Sequence, residues 1–326
     1  MNNEPLKIVS KESYLGEEIG INNAESVTLT IDKRIGLAKK TIVEIKNIFK
    51  DSQCKVAGGI KRGIILWEGC VIPFLLNNCS CWPDIKKSDL KRLVRLQNLF
   101  LNTLLNTQKC PIPIMLMDLG IMQIPLRIQK EKLILYHHIS CLPDESVASK
   151  IMKVQQELNL NGLAREVSAF LVTNEILDAR EFSKMQWKKL VTEKTIHENK
   201  TSLLEEAKKY KKLDEIELAT EEYGMKEYFI ELNLSQARLK FRERCLSMYT
   251  CKCHFSSMRF SQPENRDLNS LFLCEDCDSG SVDVLSHWRT CSGLAKYHYQ
   301  RRLEDDVQLA AFYADVISHR QKEKEK

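Results

Sequence analysis

The residues best suited to chemistry lie near the C-terminus. Cys274 and Cys277 stand two residues apart, and after a short gap His287 and Cys291 follow with three residues between them. Three thiols and an imidazole in this number and spacing suit one tetrahedral zinc ion. The first pair fits a tight turn that aims two thiolates at one point. The second pair is at i, i+4, and a helix over residues 284–291 would place both ligands on one face. Four protein ligands leave no open position, so the expected zinc is structural rather than catalytic. The competing reading is ordinary buried thiols beside an ordinary histidine. Cys251, Cys253 and His254 lie just upstream and could supply a rival ligand or hold a second metal.

A second kind of chemistry is phosphate contact. Arg238, Lys240, Arg242 and Arg244 crowd around Phe241, immediately ahead of the cysteine cluster. Arginine presents a planar fork that matches phosphate oxygens. Lys39 and Lys40 lie opposite an apolar helical stripe, and Lys91, Arg92 and Arg95 gather at the start of another helix. Each of these sets reads either as a solvated face or as a backbone-contacting face for RNA or DNA. Enzyme signatures are missing: the sequence holds no Gly-rich phosphate loop and no Ser/His/Asp arrangement. His137 and His138 are adjacent, point in different directions on a helix, and read as packing or surface residues. Glu205, Glu206, Glu221 and Glu222 read as surface charge.

The elements that must position these residues are helical. The chain has only 12 Gly and 8 Pro in 326 residues, which favours long helices. Its formal charge of +5 permits a nucleic-acid partner without demanding one. The 12 cysteines lack the even framework of a small secreted protein, and the first residues lack an apolar signal core. The expectation is an intracellular protein, nuclear or cytoplasmic, with reduced thiols. The most apolar run, residues 64–76, contains Glu68 and Pro73 and falls short of the about 20 residues a membrane span needs.

In chain order, residues 8–21 read as a strand or hairpin. Ile31, Ile35, Ala38, Ile42, Ile45 and Phe49 form one helical stripe, with Lys33, Arg34, Lys39, Lys40, Lys46 and Lys50 on the other surface. A second helix is expected from Ile60 up to Pro73, and a third from a Ser88 cap, with Leu90, Leu93, Val94, Leu101, Leu104 and Leu105 inward. Cys110-Pro-Ile-Pro113 reads as an extended linker. Further helices are expected over 126–140, 146–160, 162–177 and 178–190, then a long solvated one over 193–212. A last helix over 297–320 would bury Leu303, Val307, Ala310, Ala311 and Ala314, with residues 321–326 frayed.

Taken together, these pieces resemble the region after the catalytic palm of a non-LTR retrotransposon reverse transcriptase. Tyr14-Leu15-Gly16 is similar to the turn at that family's palm–thumb junction. Residues 31–38 and 63–76, with Trp67 through Pro73-Phe-Leu-Leu76, look like its thumb helices. Met117-Asp-Leu-Gly120, Arg127-Ile128 and Leu133 through Tyr136-His-His138 are similar to the segment beyond the thumb. The Ala237-Arg238, Phe241-Arg242 and Arg244 run resembles the stretch before its zinc knuckle, and Cys274, Cys277, His287 and Cys291 resemble the knuckle itself.

The resemblance implies binding of template–primer duplex, target DNA or element RNA. It also implies an upstream palm, because two-metal polymerisation needs paired aspartates. No Asp precedes Tyr14, and Phe312-Tyr-Ala-Asp315 lies in a helical pattern, so no polymerase activity is expected of this chain alone. No restriction-like nuclease is expected after the knuckle. The expected architecture is mainly α: a palm edge over residues 1–25, a thumb-like bundle over 26–110, a helical connector over 111–234, and a basic helix, zinc knuckle and final helix over 235–326. Two other readings stay open: a zinc-containing protein-interaction scaffold, and a degraded element without activity.

Overall fold

Apolar residues recurring every three or four positions make this chain mainly helical. The computed structural model describes residues 12–14, 17–19, 22–51, 57–83, 85–107, 110–160, 162–210, 222–245, 274, 277, 285–288, 291–294 and 306–324. Two short strands come first, β1 (Glu12–Tyr14) and β2 (Glu17–Ile19), antiparallel with Tyr14 opposite Glu17 and Glu12 opposite Ile19. Helices follow: α1 (Asn23–Asp51), α2 (Gly59–Leu66), α3 (Ile72–Leu75), α4 (Lys87–Leu105), α5 (Ile112–Leu119), α6 (Ile124–Ser140), α7 (Val147–Glu157), α8 (Leu163–Thr173), α9 (Lys184–Ala207), α10 (Tyr228–Glu231), α11 (Leu234–Arg244), α12 (Leu285–Trp288) and α13 (Asp306–Lys324). They gather into two compact units. The first comprises Met1–Ile45, Leu66–Phe100 and Met122–Ser202, the second Lys46–Ile65, Leu101–Ile121 and Leu203–Lys326.

In the first unit, α1 buries Val27, Ile31, Ile35, Ala38 and Ile42, the stripe its periodicity predicts. Arg34 departs from expectation. It is not on the solvated surface but buried at 3% exposure. One guanidinium nitrogen donates to the Asn77 carbonyl, another pairs with Glu17 at 2.6 Å, and the group lies 5.3 Å from the Trp82 ring. The hairpin is held to α1 by this pair, by Lys33–Glu18, and by the Glu18 N–H donating to the Thr30 hydroxyl at 2.8 Å.

Pro73 does not end its helix. The Ile72 N–H donates to the Trp67 carbonyl five residues back, so residues Trp67–Val71 form a π turn. The wider turn accommodates a ring that would clash with the carbonyl four residues back in an α-helix. Asn78, in the left-handed region at φ 52°, closes the segment. The helical stretch Gly59–Cys81, 23 residues, extends beyond the expected run over 64–76 and by length and composition alone could cross a membrane. Trp67 is fully buried and stacks on Phe100 with ring centroids 4.4 Å apart. Helix α4 begins at Lys87, so Ser88 lies in its first turn rather than capping it.

Helix α6 starts with a proline in its first turn and needs outside acceptors for its leading amides. Gln97 supplies one, accepting from the Ile124 N–H at 3.3 Å while donating to the Met122 carbonyl at 2.9 Å. The Asn199 side chain accepts from the Gln123 N–H at 3.1 Å. Leu133, Tyr136, Met152, Val167, Phe170, Trp187 and Val191 build a core among α6, α7, α8 and α9. The solvated helix expected over 193–212 is instead the second half of α9. Thr195, Asn199 and Leu203 are buried in it, because Trp187 and Val191 set one inward face that the Lys/Glu composition masks. Asp178 caps a short 3-10 turn, Ala179–Glu181. His137 is buried, stacks on Trp187 and contacts the Phe182 carbonyl at 2.8 Å; His138 is exposed.

In the second unit, the expected extended linker at Pro111 turns straight into α5. Pro111 is extended and Pro113 sits in the first turn, where a missing N–H costs nothing. Helix α5 is buried from Pro113 to Leu119. Gly120 follows at φ 65°, and a Cβ there would lie 3.1 Å from the Gly224 Cα, so both backbone sign and backbone approach require glycine. Asn233 and Gln236 form a reciprocal capping box at the start of α11.

Candidate metal centre and basic faces

Cys274 and Cys277 supply two of the candidate ligands and α12 carries His287; Cys291 precedes a 3-10 turn, Ser292–Leu294. The helix expected over 284–291 is found at Leu285–Trp288 and does not include Cys291, which is not helical; residues 284, 289 and 290 lie outside the described ones. Convergence nevertheless holds. The four ligand atoms all lie within 4.8 Å of one another, with Cys274 and Cys291 buried and the other two half-buried. Cys274 and Cys291 sulfurs are 3.7 Å apart, and the Cys277 sulfur is 3.3 Å from His287 Nε2. Around a tetrahedral ion with metal–sulfur bonds near 2.3 Å, two sulfurs stand about 3.8 Å apart and a sulfur and a nitrogen about 3.5 Å. Two of the ligand–ligand distances therefore match a tetrahedral site, and the cluster could hold a metal ion.

The surroundings are apolar. Trp288, Leu294, Leu309, Phe312, Tyr313 and Val316 pack with the ligand cysteines, so α13 forms one wall of the centre. The inward face of α13 is Leu309, Phe312, Tyr313 and Val316, with Ala314 exposed. Of the expected stripe, Ala314 is therefore turned outward and Ala311 is half-buried, while the side chains of Val307 and Ala310 lie outside the described ones. Leu303 lies outside the described residues, as do Cys251, Cys253 and His254. Sequence reasoning passed over Trp288 and Arg320. The Arg320 guanidinium carbon lies 4.5 Å from the Trp288 ring, and its Nη2 is 3.8 Å from the Cys274 sulfur.

The basic sets occupy different surroundings. Arg238 donates to the Leu104 carbonyl at 2.9 Å and Arg242 to the Asn106 carbonyl, so both sit at the C-terminal end of α4, where a cation meets the negative end of the helix dipole. Arg244 grips Asp118 with two donors, at 2.6 and 3.2 Å. Asp118 is fully buried and also accepts from the Tyr228 hydroxyl at 3.1 Å. Burial pushes the Asp118 carboxyl above its ordinary range, while Arg244 draws it back. Arg92 pairs with Asp32 and with Asp89, and Asp89 accepts from the Thr28 hydroxyl, which joins α4 to α1. Lys39, Lys40, Lys91 and Arg95 are exposed and have no ion pair among the described residues. The structure thus brings the four metal-ligand candidates together, pairs Arg92, Arg238, Arg242 and Arg244 with internal acceptors, and leaves Lys39, Lys40, Lys91 and Arg95 exposed.

Comparison with protein-family models, curated proteins and solved structures finds no match.

Proposed function

We propose that this chain is the post-catalytic, nucleic-acid-binding part of a non-LTR retrotransposon reverse transcriptase, with one structural zinc ion at Cys274, Cys277, His287 and Cys291. The observation that carries the reading is the convergence of those four ligand atoms within 4.8 Å, in the chain position where the resemblance puts a knuckle. All four positions are protein ligands, so the zinc would hold the module together and activate no water. In this reading residues 26–110 act as a thumb-like bundle against a template–primer duplex, residues 111–234 as a connector, and residues 235–326 as the module that meets target DNA or element RNA. The exposed cations Lys39, Lys40, Lys91 and Arg95 support phosphate contact, since no carboxylate among the described residues neutralises them. Template–primer chemistry would belong to a palm that supplies paired aspartates.

Salt-dependent binding tests it. Affinity of the purified chain for duplex or structured RNA should fall steeply with salt. Changing Lys39, Lys40, Lys91 and Arg95 together to Gln should weaken binding to all sequences alike and flatten the salt slope by up to about four charges. A second reading, a zinc-containing protein-interaction scaffold, is favoured by one observation: Arg238, Arg242 and Arg244, the densest basic run, make internal contacts. Nucleic-acid affinity that is absent or insensitive to salt selects the scaffold.

A further inference from the structure

We propose that Arg320 is the outer-sphere counter-charge of the metal centre, and that this makes the C-terminal helix α13 depend on metal occupancy. The inference rests on the metal reading above and goes beyond it, because no part of the ligand pattern points to Arg320.

The argument starts from charge. Three thiolates and a neutral imidazole around a divalent cation leave a net charge of −1. Here that charge would sit beside Cys274 and Cys291, which are buried, against a wall of Trp288, Leu294, Phe312 and Tyr313, all fully buried. An uncompensated charge in such a place is costly, and a hydrogen-bonded cation offsets that cost. Arg320 meets the need with its Nη2 3.8 Å from the Cys274 sulfur. Its guanidinium also lies over the Trp288 ring at 4.5 Å, next in sequence to His287. One side chain thus touches one ligand, Cys274, and the sequence neighbour of another, His287.

The position of Arg320 on its helix is the second, independent observation. Leu309, Phe312, Tyr313, Val316 and Ile317 stand at i, i+3, i+4, i+7 and i+8 on the face that packs on the centre. Arg320 is the next residue of that face, where a further apolar side chain would continue the stripe. A guanidinium in that place hydrogen-bonds a metal-bound thiolate more strongly than a neutral thiol. Metal ligands generally have outer-shell partners that orient them and tune their affinity. Arg320 fills that role for a sulfur ligand, as a positioning residue that does not itself touch the ion.

The test uses the full chain loaded with one equivalent of Co²⁺ in place of zinc, whose thiolate-to-cobalt absorption reports electron density on sulfur. Arg320→Gln removes the N–H···S donor charge, so the absorption should move to lower energy. Zinc affinity in chelator competition should fall about 10- to 100-fold, as for other outer-shell partners. Arg320→Lys should recover part of the affinity through its charge, without the stacking. Val316→Ala perturbs the packing of α13 without touching that charge, and should lower helix protection in hydrogen exchange while leaving the absorption energy where it was. Arg320→Gln with unchanged absorption and affinity overturns the proposal, as does an equal spectral shift in Val316→Ala. A wild-type chain that takes up no cobalt overturns the metal centre itself, a result distinguishable from the failure of Arg320 alone.

Discussion

Cys79 shows how burial alone can silence a reactive group. It is 1% exposed in the 3-10 turn after α3, and burial, helped by the Glu131 carboxylate, pushes its thiol up to about 12 from an ordinary value near 9. The neutral thiol is therefore what the folded chain holds. Alkylation at pH 8 should label exposed Cys70, Cys81 and Cys141 and spare Cys79. The sign for stability follows from linkage. Below about pH 9 the thiol is neutral in both states and its contribution is fully present. Between about 9 and 12 the unfolded chain loses the proton first, so stability falls, by at most about 1.4 kcal/mol per pH unit from this group. Denaturation of wild type and Cys79→Ala across that range should show a shallower decline in the variant. Asp118 makes the opposite point, since it stays buried with a partner. Arg244→Met should cost about 3 kcal/mol at neutral pH by leaving that carboxylate without its guanidinium. The deficit should shrink as pH falls, because a protonated Asp118 needs no counter-charge. A deficit independent of pH would instead assign the loss to packing.

Among the elements, α2 and α4 approach so closely that one methyl group decides the fit. A Cβ on Gly63 would clash with Leu104 Cδ1, in a region where Leu104 is itself buried. Gly63→Ala should therefore destabilise by about 1–3 kcal/mol through overpacking, despite alanine's better helix propensity. A urea midpoint at or above that of wild type would mean that Leu104 can move aside. The periodicity of α1 and α4 is legible in the sequence because apolar residues recur on a single face. The π turn at Trp67 was not, since proline carries a break signal and a bulge has no sequence signature of its own. Helix α9 was read as two elements, because its inward residues Thr195 and Asn199 are polar and became inward only through their neighbours. The CCHC spacing made the metal cluster legible residue by residue, whereas Arg320 could be connected to it only through a fold that brings position 320 back to position 274.

At the scale of the molecule, two apolar clusters stand on separate residues. Leu133 through Val191 in the first unit and Cys274 through Val316 in the second have no member in common. The second is small, so metal coordination should supply a large part of its folding free energy, as in small zinc domains. Cys277→Ser should release the ion and loosen residues 285–294 and 306–324, while amides near Leu133, Trp187 and Val191 keep their protection. Elemental analysis with hydrogen exchange would show this. Protection that persists over 285–294 in a metal-free sample would remove metal from the account of this module. The sequence displayed the two clusters unequally: the ligand residues announce one, but the scattered stretches that build each unit interleave along the chain, and periodicity carries no information about which stretches will meet.

That interleaving matters before the protein is finished. Helix α5, Ile-Pro-Ile-Met-Leu-Met-Asp-Leu, is buried, and its end is covered by Gly224, Lys226, Tyr228 and Arg244. About 125 residues separate Leu119 from Arg244, so at roughly 5–20 residues per second a ribosome holds α5 without these partners for about 6–25 s. During that interval an apolar octapeptide with two methionines hangs outside the exit tunnel beside a partly formed first unit. Such a segment is a natural station for a nascent-chain chaperone, and translational pausing between codons 120 and 220 would lengthen its exposure.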